Sequence, residues 1–230
     1  MRTRPIYYTN VLVLFVSFII LQSCVMNQVR LVKIDSEFEK PIGKIDYFSP
    51  FSSISVIKSK NELEINDSLS ILSIDLCAQA LENAHHLNID SQILIDDEIL
   101  NSKIQNQLYN YIVYAHNNQD INEIKMSSDI ILMMESNRSD YAISTLFSGF
   151  SRTAKNQKKQ IGKAIGLGIL TLGSFTQIPT KSNLTVFLML FDRKNQKVTL
   201  YQEAITEGKD PMELETITKL IDKALYKYLN

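Results

Sequence analysis

The sequence has no tryptophan, three histidines and only two cysteines, Cys24 and Cys77, among its 230 residues. Two cysteines exclude a disulfide-based scaffold. Seven glycines and five prolines are too few for a collagen-like or proline-rich chain. Apolar residues make up 45% and charged residues 21% of the chain, which is ordinary for a folded protein.

The sequence also lacks an excess of charge of either sign. It has 24 basic and 25 acidic residues, for a net charge of −1. No overall field therefore attracts the chain to nucleic acid, and we expect no nucleic-acid partner. The length suits one domain with an appended segment.

The N-terminus has the layout of a secretory signal. Residues 1–10 contain Arg2 and Arg4 and no acidic residue, and residues 11–21 are apolar apart from Ser17. An apolar run of about a dozen residues after a basic start is typical of a signal peptide and is short for a membrane span.

The apolar run ends in Leu21-Gln22-Ser23-Cys24. This tetrapeptide resembles the lipobox of bacterial lipoproteins. The resemblance implies that residues 1–23 are a cleaved signal peptide, that Cys24 is lipidated, with palmitate as a typical acyl group, and that acyl chains hold the protein to a membrane. The residue after the cysteine is Val25, and the absence of aspartate there favours the outer membrane, facing the periplasm. The alternative is an uncleaved signal anchor, or an ordinary signal peptide with a coincidental cysteine.

The chain after Cys24 is expected to comprise a tether over 24–50 and an α/β domain over 51–230. Pro41, Gly43 and Pro50 punctuate the tether, which we expect to fold back in part. Cys77 would then have no partner and is expected to be a small buried apolar residue. Apolar and polar alternation, or short apolar runs, predict about four strands, at 53–58, 130–134, 184–191 and 197–205.

Helical periodicity predicts three main helices. The first is capped by Asn66 or Asp67, and the second begins at the acidic group Asp96-Asp97-Glu98. The third follows Asp210, with Pro211 at its first position and Glu213 completing a capping box.

The order of these elements predicts an α/β sandwich with a mixed sheet of about four strands. It resembles the α/β domain of the curli-secretion lipoprotein and of penicillin-binding-protein activator lipoproteins. The resemblance is carried by the strand at 54–57, the hairpin at 184–205 and the closing helix.

No motif in the sequence predicts catalysis, a metal site or a cofactor. The pair His85-His86, near Asp90, is interpreted as a polar helix end because no spaced Cys/His set accompanies it. The acidic group at 96–98 is interpreted as helix-start electrostatics. Around Lys163 the phosphate-binding loop pattern fails, since Gln157 stands where a glycine is required and Ala164 where Ser or Thr is required. We therefore expect a protein that is not an enzyme.

An insertion at about 139–181 interrupts the domain, with a basic part followed by a Gly-rich apolar part. Contact with an anionic membrane, contact with a partner or second copy, and burial against the domain itself remain three alternatives for 151–176. The candidate contact residues are Arg152, Lys155, Lys158, Lys159, Lys163, Ile165, Leu167, Ile169, Leu170 and Leu172.

Taken together, these features favour a lipid-anchored, non-enzymatic interaction or assembly protein of the bacterial cell envelope. Its expected partners are the membrane, through acylated Cys24, and an envelope protein or a second copy of itself. One alternative is a subunit of an oligomeric outer-membrane secretion complex. The other is an envelope hydrolase or ligand-binding protein with a dispersed site.

Overall fold

The structure is a computed structural model that describes residues 27–39, 43–58, 61–84, 87–118, 120–170 and 180–229. In these ranges one sheet contains eight strands, namely β1 (Asn27–Ile34), β2 (Ile45–Tyr47), β3 (Phe51–Ile57), β4 (Leu63–Ile65), β5 (Ile89–Gln92), β6 (Tyr141–Arg152), β7 (Ser182–Asp192) and β8 (Lys197–Glu207). The helices in the same ranges are α1 (Asp67–Glu82), α2 (Glu98–Asn117), α3 (Ser128–Ser136), α4 (Ala154–Leu170) and α5 (Leu214–Leu229). The predicted α/β class with a mixed sheet is confirmed, but the described sheet has eight strands instead of about four.

The sheet changes from antiparallel to parallel pairing at β6. The strand order is β1-β8-β7-β6-β2-β5, and β1, β8, β7 and β6 pair in antiparallel fashion. The other edge of β6 pairs in parallel first with β2 and then with β3, while β4 pairs with β3. Pro50 lies in the break between β2 and β3, where its missing N–H removes no ladder hydrogen bond.

Helices cover both faces of this sheet, as the alternation along β7 shows. Leu184, Val186 and Leu188 belong to a core that also contains residues of α1 and α5. Met189 and Phe191 belong to a second core that contains residues of α2 and α3. Successive strand residues point to opposite faces, so one strand contributes to both cores and the architecture is a three-layer sandwich.

The two predicted helix starts at α1 and α2 are confirmed. The Asn66 Oδ1 accepts a hydrogen bond from the Leu69 amide at 3.0 Å, and the Asp97 Oδ1 accepts one from the Leu100 amide at 2.9 Å. These side chains satisfy amides that have no partner inside the helix.

The strand predicted over 130–134 is wrong, because this segment lies in α3. The Ser127 hydroxyl accepts a hydrogen bond from the Ile130 amide at 3.4 Å and caps the helix. Ile130 and Met134 are buried while Leu132 is 57% exposed, which is a helical pattern and not a strand pattern.

The boundaries of the predicted tether and insertion also change. Residues 24–50, expected to be a tether, include β1 and β2, and β1 pairs with β8 over most of its length. Residues 139–181, expected to be an insertion, include β6, which pairs with β7 from Tyr141 to Ser151. The segment between these strands contains α4, so β6 and β7 are a long hairpin whose connection carries a helix.

The closing helix is present but begins later than predicted. It starts at Leu214 and not at Pro211. Asp210 caps the preceding turn, since its Oδ1 accepts a hydrogen bond from the Met212 amide at 3.0 Å. The Glu213 carboxylate, expected to complete a capping box, accepts from the Thr216 hydroxyl at 2.7 Å.

One end of the sheet, which we call the Asn27 end, is where β1 begins and β6 ends. Asn27 pairs with Thr206, Thr206 with Leu184, and Leu184 with Gly149, so these residues lie in one row across the sheet. From Gly149 the chain continues through Arg152 into α4. The hairpin turn between β7 and β8 therefore lies at the opposite end.

Candidate functional site

The start of α4 is fixed by the end of β3 and by its own capping residue. The Thr153 amide donates to the Ile57 carbonyl oxygen at 3.2 Å. The Thr153 hydroxyl accepts a hydrogen bond from the Asn156 amide at 3.3 Å, which is the geometry of an N-cap. The basic helix thus leaves the Asn27 end of the sheet along a defined path.

Asn156 ties this helix to the β3–β4 connection. Its side chain is fully buried, and its Nδ2 donates to the Lys58 carbonyl oxygen at 2.5 Å and to the Asn61 Oδ1 at 2.9 Å. The Gln160 Nε2 donates to the same Asn61 oxygen at 2.6 Å. Asn156 and Gln160 therefore mark the inner face of α4.

Arg152 belongs to this structural network and is not a free contact residue. Its Nε donates to the Thr180 carbonyl oxygen at 2.8 Å and its Nη1 to the Asn156 Oδ1 at 3.1 Å. Its guanidinium also lies over the Phe150 ring, 5.5 Å from the centroid. Of the predicted basic contact residues, Arg152 thus holds the connection between β6 and α4 in place.

The other four predicted basic residues, Lys155, Lys158, Lys159 and Lys163, are exposed. Among the described residues none of them takes part in a salt bridge. Lys155, Lys159 and Lys163 are spaced by four residues and Lys158 follows Lys155 by three, so at 100° per residue all four share one side of the helix. We call these four exposed lysines the basic face of α4; at 100° per residue Lys158 lies about 160° from Asn156, whereas Lys163 lies about 20° from it.

The apolar half of the predicted contact segment is only partly described. Ile165, Leu167, Ile169 and Leu170 lie within α4, and their side chains lie outside the described structure, as do Leu172 and Cys24 as whole residues. In the described part of the chain, no helix combines the length and the apolar character needed to cross a membrane.

The other chemical candidates are accounted for by local structure. His85 and His86 lie outside the described residues, and Asp90 pairs with Lys44 at 2.9 Å. In the described ranges no three His, Cys, Asp or Glu side chains form a metal-binding group. Cys77 is buried, as predicted, and burial raises the pKa of its thiol, which makes it a poor nucleophile at neutral pH.

A polar cluster that sequence reasoning missed joins β1, β8 and the end of α2. The His116 Nδ1 lies 3.2 Å from the Tyr201 hydroxyl and 3.5 Å from the Glu203 carboxylate. The Lys33 ammonium lies over the Tyr201 ring and donates to the carbonyl oxygens of Ala115 and Asn118. Burial lowers the pKa of Lys33 and the nearby Glu203 partly opposes this. Since Lys33 binds the last carbonyls of α2, the cluster fastens that helix end to the sheet.

Comparison with known proteins gives similarity to solved structures only. No family model matches the chain, and no curated protein matches it. A single-substitution variant of the PelC dodecamer from Paraburkholderia phytofirmans has a TM-score of 0.39 and 13% sequence identity, covering 89% of this chain and 99% of that chain. The PelC dodecamer from the same organism gives a TM-score of 0.40 and 12% identity, covering 89% of this chain and 98% of that chain. Similarity at this level leads to no conclusion about the function of the present protein.

Proposed function

We propose that this protein is a lipid-anchored, non-enzymatic interaction or assembly protein of the bacterial cell envelope. The observation that carries the proposal is the tetrapeptide Leu21-Gln22-Ser23-Cys24 directly after a basic start and an apolar run. Cleavage after Ser23 would leave Cys24 as the acylated N-terminal residue. The protein would face the periplasm, with the outer membrane favoured by Val25.

Three exposed apolar side chains on one side of α2 support a role in binding another protein. Ile99 is 83% exposed, Tyr109 46% and Val113 38%. Their spacing places them on one side of the helix, where Ser102 and Asn106 lie between Ile99 and Tyr109. Large apolar side chains that lie close together on the surface, as Tyr109 and Val113 do one turn apart, are typical of interaction surfaces.

The anchor is tested by intact mass and membrane fractionation of the native protein and a Cys24→Ala variant. We expect the native protein to lack residues 1–23, to carry the added mass of acyl chains and to sediment with the outer-membrane fraction. The variant should keep its signal sequence and carry no acyl mass. A Cys77→Ala variant is the matched control, because Cys77 is buried and should stay unmodified. Retention of residues 1–23 on the native protein without acyl mass would overturn the proposal.

A second candidate is a subunit of an oligomeric outer-membrane secretion complex. The observation that favours it is the open sheet: within the described residues β1 pairs only with β8, and its outer edge carries unpaired backbone groups. Such an edge is a template for pairing with another chain. Mass measurement of the native protein in mild detergent tests this candidate, since a purely monomeric species would exclude it.

A further inference from the structure

The N-terminal segment and the basic helix leave the fold at the same end of the sheet. The described chain enters the domain at Asn27, which lies in one row with Gly149 on β6. Cys24 precedes Asn27 by three residues, and three residues span at most about 10 Å. An acyl group on Cys24 would therefore hold the Asn27 end close to the membrane surface.

The helix that carries the basic face, α4, begins at this same end of the sheet. β6 continues past Gly149 to Arg152. These last residues of β6 extend beyond the row that contains Asn27, toward the outside of the sheet. Three strand spacings separate β1 from β6 in the sheet order, which is about 14 Å across the sheet. The start of α4 thus lies at the same end of the sheet as the entry point of the chain, on the β3 side of β6.

The charges around this end favour anionic ligands at α4. The segment from Arg152 to Lys163 has no acidic residue. The β3–β4 connection that contacts α4 carries Glu62, and Glu64 in β4 is paired with Lys58. The β8–α5 connection adds exposed Glu207 and Asp210 together with exposed Lys209, and Lys181 is exposed where the chain returns to β7. The unpaired positive charge is therefore concentrated on the basic face of α4.

We infer that the Asn27 end of the sheet faces the lipid bilayer and that Lys155, Lys158, Lys159 and Lys163 bind the headgroups of anionic phospholipids. This inference rests on the lipid anchor proposed above. The acyl chains provide attachment, and the lysines fix the orientation of the domain on the membrane. Each lysine at an anionic surface strengthens membrane partitioning by about fivefold, and salt weakens the effect.

Lysine footprinting of the native lipidated protein in vesicles tests the orientation. The protein is placed in vesicles of phosphatidylcholine alone, or with about 30% phosphatidylglycerol to supply negative charge. A water-soluble acetylating reagent then modifies exposed lysines, which are quantified by peptide mass spectrometry. Lys125 and Lys194 are internal controls, because they are exposed and lie near the opposite end of the sheet.

We expect acetylation of the four α4 lysines to fall severalfold in the anionic vesicles and to recover at roughly 1 M salt, where screening shortens the Debye length to about 3 Å. Acetylation of Lys125 and Lys194 should be the same in both vesicles. Equal labelling of the α4 lysines in both vesicles, with the protein still floating with the lipid, would overturn the orientation and leave the anchor intact. Failure of the native protein to float with either vesicle would instead overturn the anchor.

A pair of double variants separates specific contact from overall charge. Lys158→Gln with Lys159→Gln removes two charges from the basic face, and Lys125→Gln with Lys194→Gln removes two from the opposite end. The first should abolish most of the protection of Lys155 and Lys163, since two lysines contribute roughly thirtyfold in partitioning. The second should leave that protection unchanged. Equal effects of the two double variants would contradict the inference.

Discussion

Asn156 shows how one buried polar side chain fixes the start of the basic helix. It is fully buried and joins the Lys58 carbonyl, Asn61 and Arg152 in one network. A buried donor or acceptor left without a partner costs about 1–3 kcal/mol.

We therefore expect Asn156→Ala to lower the free energy of unfolding by about 1–3 kcal/mol in urea denaturation. Lys155→Ala, at the neighbouring exposed position, should change it by less than about 0.5 kcal/mol. A small effect of Asn156→Ala would mean that the β3–β4 connection and α4 are not coupled through this side chain.

Lys197 connects the start of β8 with the residues that follow β1. Its ammonium lies 2.8 Å from the Asp35 carboxylate and 2.9 Å from that of Glu37, and hydrogen bonds to these two carboxylates raise the pKa of Lys197. A lysine whose pKa is higher in the folded protein adds stability that is complete below its unfolded pKa. That stability is lost as the pH rises through the folded pKa.

We expect Lys197→Met to melt at a lower temperature than the native protein. The difference should be constant from neutral pH to about pH 10.4, the usual lysine pKa, and should shrink above it. Scanning calorimetry across this range checks the prediction, with Lys194→Met in the adjacent turn as the control. A difference that grows above that pH would contradict the assigned ion pair.

At the scale of elements, β6 and α4 each contain a glycine, and only the one in β6 is required by the space around it. Gly149 lies in β6, where an added Cβ would come within 2.5 Å of the Asn183 carbonyl oxygen on β7. Gly162 lies in α4, where an added Cβ would meet nothing within 4 Å. The close approach of β6 and β7 therefore requires glycine at 149, whereas α4 does not require it at 162.

The expected result is that Gly149→Ala lowers the free energy of unfolding by about 1–3 kcal/mol, because the backbone of β7 has to move. Gly162→Ala should raise it by roughly 0.5–1 kcal/mol, because alanine loses less entropy in a helix. Chemical denaturation of both variants makes the comparison. A stabilising Gly149→Ala would exclude the pairing of β6 with β7 at this register.

At the scale of the whole molecule, the sheet holds the two ends of the domain in a fixed orientation to each other. Four strands run their full length between the Asn27 end and the opposite end, and helices pack on both faces. A rigid sheet transmits the orientation of one end to the other, so lysine contacts at α4 would also fix the direction in which the exposed face of α2 is presented.

The elements predicted correctly are those with a regular local pattern. Periodic apolar residues and capping side chains identified α1 and α2, and the alternating or continuous apolar runs identified β3, β7 and β8. The prediction failed for α3, because a run of five consecutive apolar residues fits a buried strand as well as a short helix. It also missed β6, whose buried residues include Ser144 and Thr145 and therefore lack an apolar alternation.

The candidate site also has features that the sequence predicted and features that only the structure showed. The positive charge of Lys155, Lys158, Lys159 and Lys163 follows from the sequence alone, but their position on one helix does not, because no helix was predicted over 154–170. The hydrogen bonds from Arg152 to Thr180 and Asn156 could not be predicted from sequence spacing. The same holds for the cluster of Lys33, His116 and Glu203, since its members are separated by more than 80 positions in the chain.

The sequence by itself determined the α/β class, the caps of α1 and α2, and the basic character of α4, because propensity, capping and charge act over a few neighbouring residues. Tertiary structure alone decided that 27–34 is a strand, that β6 is central, and that the chain entry and the basic helix share one end of the sheet. These features depend on pairing between segments that are distant in the chain. The hydrogen bonds of that pairing join backbone groups, which are the same in every residue type except proline. Local sequence therefore leaves little trace of them.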